Sequence, residues 1–441
     1  MFVEHIIERA HKAFDAAGYK DHTILKTVRA LLGGNWDNDR SSLRKVLQIF
    51  SRNTKKRRVV YVAKTPYYNL FRESCILRNT GEIETYLFTL NIKNAAFQKK
   101  YFDGFVDFYG NIEALLYVIS SIDPDLFHVQ GWHHSYFLPM LVKILARDSP
   151  VVCEFQDVVS FFLPEDDYVH VWGLRPECVA LDFFSERFIA ENADGILLPY
   201  DQCAEQILKR RYRVECDILS FPSYPYPEFF ASATPRKPND LPKLLFVGGI
   251  PDKTYPDEVF KDAKLTSIIP QIISQGIHLD VFNNPLLCEE VEALYPDLMR
   301  LAAEHQGFNF VCGVTPDKLR HIANSYDYGM MLYDFKDIRV LKEHLATVIP
   351  SKLFTYMELA LPVLVSEELE AVAKIVRDAK IGVVLNSSDV KQLNLVLGRT
   401  DRDKYRENVL KYREMNSVEK KGRDLLRFIY GILSKKDKVI D

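Results

Sequence analysis

Short strand-like runs and helical stretches take turns along this chain, and the exchange is interrupted once, by proline. From residue 58 the runs are RVVYVAK (58–64), ETYLFTL (84–90), LFHVQG (126–131), VVCEF (151–155), GILLP (195–199) and CDILSF (216–221). Helical patterns lie between them, at 134–146, 179–192 and 200–210. Strands separated by helices pair in parallel and are covered on both faces. The segment FPSYPYPEFFASATPRKPNDLP (221–242) then holds six of the chain's 21 prolines. Proline neither continues a helix nor donates to a sheet ladder, so this segment is predicted to be a linker. The alternation resumes with KLLFVGG (243–249), IHLDVF (277–282), FNFVCG (308–313), DYGMMLY (327–333), LPVLVS (361–366) and IGVVL (381–385). A long helical tail follows at about 401–434.

The pattern predicts an α/β chain of two doubly wound, Rossmann-like domains. Its 441 residues suit two or three domains at about 100–200 residues each. Residues 1–57 read as a helical extension, 58–225 as the first domain, 226–242 as the linker and 243–414 as the second domain. Ligands of such sheets sit at the carboxyl ends of the strands, so a cleft between the two domains is the expected site.

Composition removes several classes. Lysine and arginine number 57 against 60 acids, a net charge of −3, without the basic excess of a nucleic-acid binder. No run of about 18 apolar residues exists to span a membrane, and MFVEHIIERAHK lacks the apolar core of a secretory signal. The seven cysteines (75, 153, 178, 203, 216, 288 and 312) form no CxxC pair. They read as reduced thiols of a cytoplasmic protein. LRKVLQIF (43–50) has apolar residues at helical spacing, 43, 46, 47 and 50, and precedes Arg52, Lys55, Lys56, Arg57 and Arg58. That cluster reads either as a solvated helix end or as a patch that rests on the anionic headgroups of an inner membrane face.

Dinucleotide-binding GxGxxG, GxxxxGK[ST], GxSxG and HExxH are all absent. The most informative segment is VIPSKLFTYMELALPVLVS (348–366). It reads as loop, helix, tight turn and buried strand. Pro350 and Ser351 suit a helix start. Free N–H groups there attract phosphate, and Lys352 in the first turn adds a point charge. Gly248-Gly249-Ile250-Pro251-Asp252-Lys253 follows a strand, and its glycines let a pyrophosphate approach the backbone. Both segments also read as an ordinary helix start and an ordinary strand–helix turn.

The segment P-S-K-L-F-x-Y-M-x-x-x-L-P-V-L-V-S resembles the donor-site helix of GT-B fold glycosyltransferases, P-x-K-[LF]-x-E-Y-[LM]-A-x-G-x-P-V. VVLNSSDVKQLNLVL (383–397) resembles the stretch after that family's last sheet strand. LSFPSYPYPEFF (219–230) resembles its linker, and KLLFVGGIPDK (243–253) its first donor-domain strand and phosphate loop. NSVEKKGRDLLRFIYGIL (416–433) resembles the final helices, which implies that a helix at about 415–441 packs back on the first domain. The family pattern of two glutamates eight residues apart is replaced by Thr347 and Thr355, and the usual turn glycine by Ala360. Glu358 and Glu343 are the candidate substitutes.

The resemblance implies a donor site in the second domain, at Gly248, Gly249, Lys253, Ser351, Lys352, Thr355 and Glu358. The co-substrate is then a nucleoside-diphosphate sugar, and no separate cofactor is implied. The acceptor, a glycan, a lipid-linked molecule or a protein, falls to the first domain. There VVCEFQDVVSFF (151–162) ends in Glu154, Gln156 and Asp157, and Asp157 is the carboxylate placed as a general base, with Glu154 and His133 in reserve. Tyr67, Arg72 and Trp172 are the acceptor-side candidates. His128, His133 and His134 invite a zinc reading, but His133 and His134 are neighbours that point apart, so no metal site is expected. Asp123-Pro-Asp125 has the spacing of a metal-binding carboxylate pair, yet it precedes a strand and reads as a proline turn. With a lysine and a helix start at hand, the diphosphate needs no metal. The scaffold is shared by sugar-nucleotide epimerases, and the missing glutamates also fit an inactive subunit.

Overall fold

The computed structural model describes residues 2–32, 40–52, 54–233, 239–283, 290–311 and 314–440. Cys288, Cys312, the end of the 308–313 run and linker residues 234–238 lie outside the described residues. The chain divides into two compact units, residues 1–222 with 422–441, and residues 223–421.

The first unit opens with helices α1 (Phe2–Ala16), α2 (Ile24–Leu32) and α3 (Arg40–Phe50). Strand β1 (Arg57–Ala63), helix α4 (Tyr68–Arg78), β2 (Ile83–Thr89) and β3 (Gly104–Asp107) follow. Then come β4 (Leu126–Gly131), α5 (Phe137–Leu145), β5 (Val151–Phe155), α6 (Pro176–Asn192), β6 (Gly195–Leu198) and β7 (Asp217–Ser220). All seven strands are parallel, in the order β3-β2-β1-β4-β5-β6-β7. Every residue of β4, β5 and β6 is buried, as a parallel sheet covered on both faces requires. β3 has no counterpart among the strands expected from the sequence. Four residues of GFVD at a sheet edge are too few to show a period.

The helical extension is part of the first unit's core. Ile6, Ala10 and Phe14 line one face of α1 and are fully buried. Phe14 meets Phe184 and Phe188 of α6 at ring distances of 4.8 and 5.5 Å. Removing a side chain the size of Ile6 or Phe14 from water is worth about 1.5–3 kcal/mol. On α3 the buried apolar residue is Val46, whereas Leu47 is 53% exposed. Of the basic cluster, Arg58 donates to the carbonyls of Phe50 and Arg52, and Arg57 stands 3.9 Å from Asp125. Arg52, Lys55 and Lys56 are exposed.

The second unit contains β8 (Lys243–Val247), α7 (Asp257–Lys264), β9 (His278–Phe282), β10 (Phe308–Val311) and β11 (Tyr328–Met331). It continues with α8 (Ser351–Glu358), β12 (Val363–Ser366), β13 (Gly382–Leu385) and α9 (Arg402–Met415). Its six parallel strands run β10-β9-β8-β11-β12-β13. The expected single tail is two helices, because α9 stops before Asn416 and α10 (Val418–Ile440) begins afresh. From residue 422 onward α10 belongs to the first unit. A Cβ on Gly195 of β6 would come within 2.5 Å of Ile432, and the Tyr430 hydroxyl donates to Glu82 at 2.7 Å.

In both sheets the chain runs outward from a first strand to one edge, then returns to that strand's other side. The reversal falls between β1 and β4 in one unit and between β8 and β11 in the other. Loops diverge there and leave a crevice at the strands' carboxyl ends.

Candidate functional site

At the reversal in the second unit, β8 is followed by Gly248, whose φ of +126° favours glycine. A Cβ there would also lie 2.6 Å from Cε of Lys352, so the lysine stem rests on bare backbone. Lys352 is in the first turn of α8, which starts at Ser351 with Pro350 as its cap. Tyr356 sets that helix in place. Its hydroxyl donates to the Met330 carbonyl at 2.8 Å and accepts from Val247 N at 3.2 Å, joining β8 and β11. Gly329 leaves the room its ring occupies. Ile250 N donates to the Asn283 side chain at 3.0 Å, which holds the loop after Gly249.

The Lys352 ammonium sits 5.1 Å from the centre of the Phe246 ring and makes no ion pair among the described residues. Burial pushes its pKa down to about 8, against the pull of Asp262. Burial in turn raises Asp262 to about 6. Asp334, beyond β11, pairs with Lys261 at 3.7 Å. A half-buried cation with no ion pair among the described residues, bare glycine backbone and the first turn of a helix thus meet at one point. Such a place accepts an anion with several oxygens.

The other donor-side candidates are placed differently. The Thr355 hydroxyl turns back to the Ser351 carbonyl at 3.3 Å. Lys253 is exposed on a groove of about 490 Å³ whose walls include Tyr255, Lys264 and Asp297 but not Gly248, Gly249 or Lys352. Glu358 needs correction as a donor ligand. It is 1% exposed at the far end of α8, and its carboxylate accepts from Tyr226 N at 2.7 Å. Its carbonyl takes Ala231 N at 2.8 Å and Arg413 at 3.1 Å, so this end of the helix grips the linker. Glu343 lies in the helix Lys342–Thr347, where its carbonyl accepts from the Thr347 hydroxyl at 2.6 Å. Ala360 takes the left-handed conformation, φ +54°, where a glycine would be unstrained.

In the first unit the reversal gathers Tyr67, Trp132 and Asp157. Tyr67 N donates to the Gln130 side chain at 3.0 Å, and its ring lies 5.9 Å from that of Trp132. The Trp132 indole donates to the Asp157 carboxylate, and the Tyr136 hydroxyl donates to the Asp157 carbonyl at 2.6 Å. Asp157 is half-buried at the end of β5, held but accessible. On the other side, His133 packs among Phe162, Tyr168 and Trp172 at ring distances of 5.3, 5.9 and 6.0 Å. Burial pushes its pKa down to about 3, which makes it a weak base.

The reserve base Glu154 and the acceptor-side candidate Arg72 need correction. Glu154 is 1% exposed and accepts from Asn69 at 2.7 Å and Gln130 at 3.1 Å, beneath the surface. Arg72 is 4% exposed, with its guanidinium over the Phe71 ring. The structure adds a pair that no local sequence signal joins. His134 is exposed, in the left-handed region with φ +59°. Its N–H donates to Asp182 at 2.7 Å, and its Nδ1 lies 3.8 Å from the same oxygen. Burial raises Asp182 to about 7. The doubled histidine marked the turn, but nothing local ties it to an aspartate in α6.

No protein-family model matches the chain, and no curated protein matches it in sequence. Its fold is similar to solved structures. A glycosyltransferase from Rickettsia africae aligns with a TM-score of 0.55 at 10% identity, covering 86% of this chain and 99% of that one. Anabaena HepE in complex with UDP gives 0.55 at 10%, covering 85% and 100%. The α,α-trehalose 6-phosphate synthase of Burkholderia multivorans gives 0.54 at 11%, covering 86% and 99%. The chain thus has the GT-B fold, two doubly wound parallel-sheet units in one polypeptide.

Proposed function

We propose that this protein is a glycosyltransferase that moves a hexosyl group from a nucleoside-diphosphate sugar to a glycan, lipid-linked or protein acceptor. The observation that carries the reading is Lys352. It is a lysine without an ion-pair partner among the described residues, packed on Gly248 at the strand reversal of the second unit. A donor diphosphate supplies the missing anion. As the bond from the sugar's anomeric carbon to the phosphate oxygen breaks, negative charge grows on the leaving diphosphate. Lys352 and the N–H groups of the first turn of α8 stabilise that charge. An acceptor hydroxyl forms the new bond at the anomeric carbon, and its proton passes to Asp157. Trp132 orients that carboxylate.

A lysine and a helix start suffice for the diphosphate, so UDP affinity should be the same with and without Mg²⁺ or Mn²⁺. UDP is the nucleotide to test first, because HepE was solved with it. The decisive experiment incubates the protein with a panel of UDP- and GDP-sugars. Slow hydrolysis of one donor is the expected result. Interconversion of the donor sugar would replace the reading with an epimerase, and no binding at all with a scaffold subunit. Arg52, Lys55 and Lys56, exposed beside α3, further support reversible attachment to an anionic cytoplasmic membrane face.

A further inference from the structure

One layer beneath the crevice of the first unit, three ligand-type side chains converge. His128 of β4 is fully buried, and Glu73 of α4 and Glu154 of β5 are each 1% exposed. His128 Nε2 stands 3.3 Å from a Glu73 oxygen and 3.7 Å from a Glu154 oxygen. One ligand atom from each of the three lies within 4.8 Å of the others. The topology makes this meeting firm. His128 pairs in register with Tyr61 of β1, and Gln130 with Glu154, so all four point to one face of the sheet. The Tyr61 ring stacks on the imidazole at 4.6 Å.

The hydrogen bonding is unfinished at the centre and finished around it. Both Glu73 oxygens and both His128 nitrogens are buried without a hydrogen-bond partner among the described residues. Buried polar groups are seldom left so. Glu154, by contrast, is held by the amides of Asn69 and Gln130. Burial and the neighbouring Glu154 hold the Glu73 carboxyl well above the usual carboxylate range; as ligands both glutamates are ionised and the imidazole uncharged, a set of charge −2 that a divalent ion balances. Ligand atoms at 2.0–2.2 Å from a tetrahedral ion stand about 3.3–3.6 Å apart. The two distances to His128 are close to that spacing. Amide donors fixing a ligating carboxylate are a usual support of metal sites.

We propose that Glu73, His128 and Glu154 form a site for one divalent transition-metal ion of the Zn²⁺ type, which staples α4 to the sheet. The ion is structural and separate from the diphosphate chemistry. It fixes the helix whose first residue follows Tyr67 and whose Asn69 reaches both Glu154 and Gln156. Because the site is enclosed, the ion enters as the chain folds.

The test uses the untagged full chain. It is unfolded in urea and refolded with Zn²⁺ or with a chelator, and its metal content and unfolding temperature are then measured. About one zinc per chain and a higher unfolding temperature with zinc are expected. Glu73→Gln should lose the zinc, and His11→Ala should keep it. The second variant controls for the exposed trio His11, Asp15 and His22. Absence of bound zinc and of any thermal shift in the wild type would overturn the proposal and leave Glu73 holding a proton instead. Zinc that is lost in His11→Ala would overturn it as well. If Glu73→Gln does not fold, the wild-type measurement and the His11→Ala control decide alone.

Discussion

Lys352→Met probes the proposed donor site and the energetics of the ligand-free fold together. Burial lowers the lysine from 10.5 to about 8. At about 1.4 kcal/mol per pH unit, keeping this cation in the free fold costs about 3 kcal/mol below pH 8. The unfolded chain binds the proton more tightly, so this group's contribution to stability rises from about pH 8 to 10.5 and is least favourable below 8. Methionine keeps an apolar stem against Gly248 and Phe246 and removes the charge. The urea unfolding free energy near neutral pH should therefore rise, by roughly 1–3 kcal/mol. UDP affinity should fall by about 1.5–3 kcal/mol, or about 10–150-fold. Wild-type affinity should also decline above about pH 8, because the free site loses its proton before the occupied one does. The variant should show no such decline. Calorimetric titration with UDP on either side of pH 8, beside urea melts, reads all of these. Equal UDP affinity in the two proteins, or wild-type binding that is flat with pH, would refute the reasoning.

Asp157→Asn keeps an oxygen for the Trp132 indole and removes the base. Turnover should drop by about 10²–10⁴-fold with UDP affinity unchanged, and a near-normal rate would pass the role to the His134–Asp182 pair. Ala360→Gly relieves a left-handed alanine and should stabilise the fold by about 1 kcal/mol in urea; a loss of stability would show that the methyl group packs productively. Three exposed cations at about 1 kcal/mol each predict weak, salt-sensitive sedimentation with anionic vesicles. Partitioning that ignores salt, or none, would leave α3 and its basic end purely structural.

Among the described residues, twelve of the thirteen strands are legible because parallel strands buried on both faces read as unbroken apolar runs, with no need for alternation. GFVD is not, since two apolar residues make no pattern. On the donor side Gly248 and Lys352 were each visible, one as a glycine after a strand and the other as a lysine at a helix start. Their contact was not visible, because it depends on Tyr356 bridging β8 and β11. Glu358 shares a helix face with Thr355, which suggested a shared role. The backbone of the linker claims its carboxylate instead. Glu154 was read as an acid at a strand end, but α4 roofs that face of β5 and buries it. A turn between adjacent histidines sends His133 inward and His134 outward, a choice made by the left-handed φ of His134 that no residue type announces.

The two ends of α8 hold different things. Its first turn carries Lys352, and its last residue clasps Tyr226 and Ala231 of the proline-rich segment. Eight residues at 1.5 Å each make a stiff rod about 12 Å long. An anion bound at the first turn would therefore act on the same rod as the clasp at the other end. By reciprocity, whatever pulls on the clasp changes anion affinity by the same free energy. The proline-rich stretch would then serve as a handle, through which strain on the chain would alter how firmly Lys352 is presented.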